Sequence, residues 1–310
     1  MNDAIRQSRR SSRLRYRAGK AANRLSKNRL RQFVGTRHPK IVERTINIPD
    51  WPADLDGFRI AHLSDFHVGE LLGLDDAIRF LDEFKDQLDT PPDLVALTGD
   101  IIDFEVTDCS PLLHRLACFP STLGTISVLG NHDLLVNRHQ FINTCQSQNL
   151  RLLIDDTHKL NYRNTTINIL GIDWARRKSE LEKHIQTTFR SLDMTRVRRT
   201  EDQLSSHPEA TIVLAHHPRA FNCAADHGAQ LVLSGHTHGG QMNLIHPSTN
   251  HHGIGLGSLS HRYSWGIYER DSSRLHVTSG IGSWFPFRVK CPSEIAILTI
   301  HRSWEANVNL

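Results

Sequence analysis

Asp93-Leu94-Val95-Ala96-Leu97-Thr98-Gly99-Asp100 sets an apolar run between two acids and closes it with a glycine and a carboxylate. A run this short, preceded by Pro91-Pro92 and stopped by Gly99, reads as a strand buried on both faces. A carboxylate directly after a buried strand is costly unless a cation neutralises it. Asp100 therefore marks the carboxyl end of this strand as a candidate cation site.

The pattern repeats to either side. Arg59–Leu63 reads as a strand ending at Ser64-Asp65-Phe66-His67, and Thr125–Leu129 as one ending at Gly130-Asn131-His132-Asp133. Farther along, Thr211–Ala215 ends at His216-His217-Pro218, and Gln230–Leu233 ends just before Gly235-His236-Thr237-His238. Helical spacing is expected over Leu74–Leu88, Pro111–Cys118, Gln140–Gln148 and Lys178–Gln203. Further strands are expected at Arg44–Pro49, Leu152–Ile154, Thr166–Leu170, Leu275–Thr278 and Glu294–Ile300, with an irregular Gly-, His-, Ser- and Asn-rich loop over Gln241–His261. Strands alternating with helices argue for α/β layers, in which ligands bind outside the carboxyl ends of the strands. All five motifs fall at such ends.

The 310 residues carry a formal net charge of +4 that hides a division. Residues 1–45 hold fourteen Lys and Arg against Asp3 and Glu43, a net +12; the rest holds 23 basic and 31 acidic residues, a net −8. A basic arm over 1–44 is thus attached to a mildly acidic body over 45–302, followed by a short tail over 303–310. Arg9-Arg10 lacks a following apolar stretch, so no signal peptide is expected, and no apolar run is long enough for a spanning helix. Leu14, Ala18, Ala21 and Leu25 fall on one narrow helical face among cations. The arm over 1–40 can be a solvated tail or lie peripherally on an anionic membrane, each cation near the surface contributing on the order of 1 kcal/mol. Five cysteines without CxxC pairing point to reduced thiols and a cytoplasmic setting.

Ligand chemistry narrows the reading. Asp65 and His67 are two apart, so on an extended strand end they point to the same side and can share one ion. Asn131 offers a neutral amide oxygen. His236 and His238 are also two apart, yet the turn between Gly235 and Gly239-Gly240 could aim them at different ions. Imidazole, carboxylate and amide ligands suit Mn, Fe or Zn, and no thiolate lies within the motifs.

Asp-x-His, Gly-Asp, Gly-Asn-His-Asp, a later His and Gly-His-x-His, in this order, resemble the calcineurin-like metallophosphoesterase superfamily. The likeness runs from about Thr45 to Ile300. Ser234 to Gln241 and the tail Gly280-Ile281-Gly282, Pro286-Phe287-Arg288 and Cys291-Pro292-Ser293-Glu294 resemble its bacterial branch of YkuE and YaeI phosphoesterases, related to a UDP-2,3-diacylglucosamine pyrophosphatase of lipid A synthesis. The resemblance implies a four-layer α/β/β/α sandwich of two mixed sheets. It implies two divalent metal ions, manganese preferred. Asp65, His67 and His238 would hold one and Asn131, His216 and His236 the other, with Asp100 bridging. His132 would be the catalytic group, oriented by Asp103, unless Asp103 serves only as a helix N-cap. The reaction implied is hydrolysis of a phosphoester or diphosphate bond in a small or lipid-linked substrate, such as UDP-2,3-diacylglucosamine.

Related sequences read His-x-Pro, which favours His216 over His217 as the ligand and leaves His217, with Arg288, as a candidate for substrate contact. Phosphoprotein phosphatases of the superfamily carry Arg and Glu where Phe104 and Asp133 stand, so a phosphoprotein substrate is disfavoured. A nuclease or cyclic-nucleotide phosphodiesterase is the rival within enzymes, but the net −8 of the body argues against a polyanion groove. A non-catalytic scaffold on the same fold is the rival of another class, and every ligand type is retained against it. His246, His251, His252 and His261 could touch substrate or sit on the surface. Arg176-Arg177-Lys178 could line a substrate edge. Trp174, Trp265, Trp284, Phe285 and Phe287 could rim an acyl chain or anchor loops.

Overall fold

In this computed structural model the described residues are 17–18, 20–27, 29, 38–103, 108–135, 137–197, 208–245, 254–255, 261–283 and 288–303. Phe104, His246, His251, His252, Trp284, Phe285, Phe287, most of the arm and residues 304–310 of the tail lie outside them.

The first half runs β1 (Lys40–Pro49), β2 (Phe58–Leu63), α1 (Leu74–Asp86), β3 (Leu94–Leu97), α2 (Ser110–Ala117), β4 (Thr125–Ser127), α3 (Arg138–Ser147) and β5 (Arg151–Leu152). The second half runs β6 (Asp156–Tyr162), β7 (Thr165–Ile172), α4 (Lys178–Val197), β8 (Glu209–Ala215), α5 (Ala220–Asp226), β9 (Leu231–Ser234), β10 (Asn243–Ile245), β11 (Ile254–Gly255), β12 (Gly266–Arg270), β13 (Ser273–Val277) and β14 (Glu294–Ser303). One six-stranded sheet has the order β1-β14-β2-β3-β4-β5 and the other β12-β13-β9-β8-β7-β6. Both are mixed. β2 to β5 run parallel while β14 opposes β2, and β7, β8, β9 and β13 run parallel between antiparallel β6 and β12.

The two-residue period of the strands sorts side chains into layers. On β3, Leu94 and Ala96 meet Ile212, Leu214, Leu231 and Leu233 of the second sheet, while Val95 and Leu97 face Phe80, Phe84 and Leu113 of the helices. On β8, Ile212 and Leu214 point inward, and Val213 and Ala215 pack on Leu181, Ile185 and Phe221. Ala77, Phe80, Leu81 and Phe84 give α1 one buried face at i, i+3, i+4 and i+7. Burying each of its large side chains contributes roughly 1.5–3 kcal/mol. The layers are therefore α/β/β/α.

Several boundaries differ from the sequence reading. β1 starts at Lys40 and stays in parallel register with β14 from Glu294 to Ser303, so pairing continues through residues read as arm. The Gln241–His261 loop contains a short antiparallel pair, β10 with β11. Among the described residues no helix is long and apolar enough to cross a membrane. All five cysteines are free thiols. Asn23 Nδ2 of the arm donates to Glu70 Oε1 at 2.8 Å, tying the arm to the loop after β2.

Because β2, β3, β4, β8 and β9 share one direction within their sheets, their carboxyl ends emerge together along one edge where the sheets meet. His216 Nδ1 donates across that edge to the Thr98 carbonyl at 2.7 Å.

Candidate metal centre

Asp65 and His67 converge, but not by strand alternation as the extended reading expected. β2 ends at Leu63, and both residues take left-handed φ, 55° and 48°. Asp100 (53°), His236 (71°) and His238 (50°) do the same. A non-glycine residue in this region costs on the order of 1–3 kcal/mol and persists only where its surroundings over-determine it. Here the loops hold one another. Asp65 N donates to the Gly99 carbonyl (2.9 Å) and His67 N to the Asp100 carbonyl (3.0 Å). Close approach also demands glycine, since a Cβ on Gly130 would stand 2.1 Å from Asp100 Oδ1 and one on Gly235 2.1 Å from Asp65 Oδ2.

Asp133 does much of this holding, a role the sequence reading missed. Its carboxylate is fully buried and accepts four backbone N–H bonds. Gly130 and Asp100 donate to Oδ2 at 2.8 and 2.9 Å, Ile101 and Ile102 to Oδ1 at 2.9 and 3.2 Å. Burial and the charge of Asp100 push this carboxyl up to about 7, against the pull of the N–H groups. Its place in Gly130-Asn131-His132-Asp133 was the available signal, but a carboxylate in such a motif reads as chemistry and not as scaffolding.

The side chains gather in two sets around Asp100. Asp65, His67 and His238 have ligand atoms within 4.8 Å of one another, and so have Asp100, His216 and His236. His67 Nε2 lies 2.9 Å from His238 Nε2, 3.7 Å from Asp65 Oδ1 and 3.5 Å from Asp100 Oδ2. In the second set His216 Nε2 lies 3.1 Å from Asp100 Oδ2, 3.2 Å from Asn131 Oδ1 and 3.1 Å from His236 Nδ1. One oxygen, Asp100 Oδ2, thus lies near both sets. The Gly235–Gly240 turn sends His236 and His238 to different sets.

Electrostatics test whether this set fits cations. His216 spends its Nδ1–H on Thr98, so Nε2 points a lone pair at two acceptor oxygens, Asp100 Oδ2 and Asn131 Oδ1. The chain by itself must place a proton there: burial lowers His216, yet Asp100 and then Asp65 outweigh it and raise the imidazole to about 9. Burial raises Asp100 as well, and His216, His132 and His67 hold it well below the usual carboxylate range. Burial lowers His236 to about 3. Acceptors converging on buried lone pairs ask for positive charge, and oxygen and imidazole donors suit a hard or borderline divalent ion. The residues present fit such ions.

The other candidates sit as follows. His132 is buried, with Nδ1 2.9 Å from Asp103 Oδ1 and its ring edge-on to His67 at 4.5 Å. His217 Nδ1 accepts from Arg219 N at 3.1 Å, its ring lies 4.5 Å from that of His236, and its ligand atom lies within 4.8 Å of those of His236 and His261. Arg288 is engaged inside the protein. It donates to the carbonyls of Ser279 (2.9 Å), Gly282 and Cys291 and to Ser283 Oγ, and reaches His238 Nδ1 at 3.3 Å. Its position makes it a neighbour of the His238 ring. Trp265 is fully buried and donates to Glu294 Oε1 at 3.0 Å, a core anchor. A separate group, Asp155, Asp173 and His184, is engaged by Arg138 (2.8 Å to Asp173) and by the His184–Asp155 contact.

The description "calcineurin-like phosphoesterase" belongs to the family model that matches residues 58–240. An uncharacterized metallophosphoesterase of Helicobacter pylori is 31% identical over 273 residues, covering 86% of this chain and 65% of that protein. YkuE, an uncharacterized metallophosphoesterase of Bacillus subtilis, is 30% identical, covering 83% of this chain and 84% of the relative. The UDP-2,3-diacylglucosamine pyrophosphatase LpxG of Chlamydia trachomatis is 27% identical, covering 81% and 86%. The chain spans slightly less than two thirds of the length of its Helicobacter relative. With a motif set, a sheet edge and a family model that coincide, the chain belongs to the calcineurin-like phosphoesterases.

Proposed function

We propose that this chain hydrolyses a phosphoester or diphosphate bond using two divalent ions, manganese for preference. Asp65, His67 and His238 would hold one ion and Asn131, His216 and His236 the other, with Asp100 lying between the two sets. The observation carrying this reading is that Asp100 Oδ2 lies 3.5 Å from His67 Nε2 and 3.1 Å from His216 Nε2. When bound, such ions polarise a phosphoryl group and acidify water.

The chain's own residues supply orientation and a proton. Asp103 accepts from His132 Nδ1 at 2.9 Å, so Nε2 donates to a phosphoryl or leaving oxygen when the imidazole carries both protons. A water oxygen bonds to phosphorus, the ester or anhydride P–O bond breaks, the departing oxygen takes a proton from His132 Nε2, and the proton shed by the attacking water restores the imidazolium. An acid positioned this way contributes roughly 10²–10⁴-fold.

The substrate is small or lipid-linked, and UDP-2,3-diacylglucosamine is the leading candidate. Support comes from the similarity to LpxG and from the arm with its net +12, which favours an anionic membrane face. The Asn23–Glu70 bond keeps that arm beside the first motif, and Leu25 is exposed on it. A manganese-supplemented hydrolysis screen of aryl phosphomonoesters, aryl phosphodiesters and nucleotide-diphospho-lipids tests the reading, with His132→Ala as control. Turnover of the diphospho-lipid that drops at least 10²-fold in the variant supports it; a wild type inert on every compound refutes it. Sedimentation with anionic vesicles, with and without residues 1–40, tests the arm, and equal partitioning removes the membrane contact.

A further inference from the structure

Beside the His216–His236 end of the centre the surface opens into a cavity of about 260 Å³, lined by Lys178, His217, Arg219, Asn222, His261 and Arg262 among others. Imidazoles join it to the centre. The His217 ring lies 4.5 Å from that of His236 and 6.1 Å from that of His261. Three side chains of the lining are cationic and none is a carboxylate. Lys178 is 3.5 Å from Glu182. Among the described residues Arg219 and Arg262 have no acidic partner, and the Arg262 guanidinium lies 5.4 Å over the Tyr263 ring.

Separate elements bring these cations together: Lys178 opens α4, Arg219 follows β8, and Arg262 precedes β12. Like charges gathered around one concavity raise the local positive potential and attract an anion. Arginine forks match phosphate oxygens two at a time. The volume falls just below the roughly 300–1,000 Å³ of sites for drug-sized ligands, which suits a charged group and not an acyl chain.

We propose that this cavity is the subsite for a second phosphate, so that the substrate carries two adjacent phosphates as in a nucleoside diphosphate ester. One phosphate reacts at the metal centre, while Arg219, Arg262 and Lys178 hold the other. The inference rests on the hydrolase reading above and deepens it by assigning Arg219, Arg262 and Lys178 to the phosphate beside the scissile one.

Calorimetric titration of the manganese-loaded protein with UDP, which has two phosphates, and UMP, which has one, decides it without turnover. Wild type is expected to bind UDP roughly 10- to 100-fold more tightly than UMP, the scale of one or two charge-assisted hydrogen bonds. The Arg219→Gln/Arg262→Gln double variant is expected to reduce that ratio to about one while UMP binding changes little. Both arginines are exposed, so thermal unfolding of the variant should match wild type and certify its fold. A wild type without preference for UDP, or a preference that survives the double substitution, overturns the subsite. Hydrolysis of bis(4-nitrophenyl) phosphate, measured in parallel, reports on the hydrolase reading alone: an inert wild type that still discriminates UDP from UMP defeats that reading and not the subsite.

Discussion

Replacing Asp133 by Asn should unfold the loops that carry the centre. The substitution keeps the shape but turns one acceptor oxygen into an NH₂ donor. Whichever way the amide sits, two of the four backbone N–H groups from Gly130, Asp100, Ile101 and Ile102 then face a donor in a fully buried site. Each stranded donor costs about 1–3 kcal/mol. Loss of the buried charge that faces Asp100 gives part of this back, since that pair pushes Asp133 up to about 7. The net destabilisation should be about 2–4 kcal/mol, read as a lower guanidinium midpoint at unchanged m-value. Manganese affinity should fall with it, because the same bonds seat Asp100 and the Gly130-Asn131 turn. A change under about 0.5 kcal/mol, with metal affinity intact, would show that the carboxylate is not what ties the two loops together.

Gly130→Ala should abolish metal binding and lower stability, measured by dialysis and thermal unfolding, because its Cβ would stand 2.1 Å from Asp100 Oδ1 and 2.3 Å from Asp100 N. The metal-free protein should lose stability as pH rises. His216 is raised to about 9, so its contribution is fully present below its unfolded value of about 6.5 and disappears by about 9, a loss of roughly 2–3 kcal/mol. His67, also raised, adds in the same direction, whereas His236 is lowered to about 3 and weakens the fold only below about 6.5. Unfolding midpoints between pH 6.5 and 9 with chelator should slope downward, and saturating manganese should flatten the slope by replacing the proton; parallel slopes would count against the ion and proton sharing a site.

Much of the architecture was legible because hydrophobic burial writes it plainly. Leu94–Leu97 and the apolar stretches before Asp65, Gly130, His216 and Gly235 are central strands, buried on both faces. Edge elements were harder to see. β6, Asp-Thr-His-Lys-Leu-Asn-Tyr, is half-exposed and polar, so its strand character comes from pairing with β7 and not from its own pattern. α5 spans seven residues, too few turns for a helical period to show. Within the site, residue types and their grouping could be read from motif order. The left-handed backbone of Asp65, His67, Asp100, His236 and His238 could not, because loop-to-loop hydrogen bonds impose it from outside each motif. The cationic cavity was visible only in part: Lys178 and His261 stood out as candidates for substrate contact, but Lys178, Arg219 and Arg262 are far apart in sequence, and each arginine alone resembles a solvated surface charge.

The most direct measurement is an anomalous difference map from crystals of the manganese-loaded protein. Two peaks of comparable height are expected, one among Asp65, His67 and His238 and the other among Asn131, His216 and His236, each within bonding distance of Asp100. One peak, none, or density only at Asp155, Asp173 and His184 would mean that Asp100 does not join two ions.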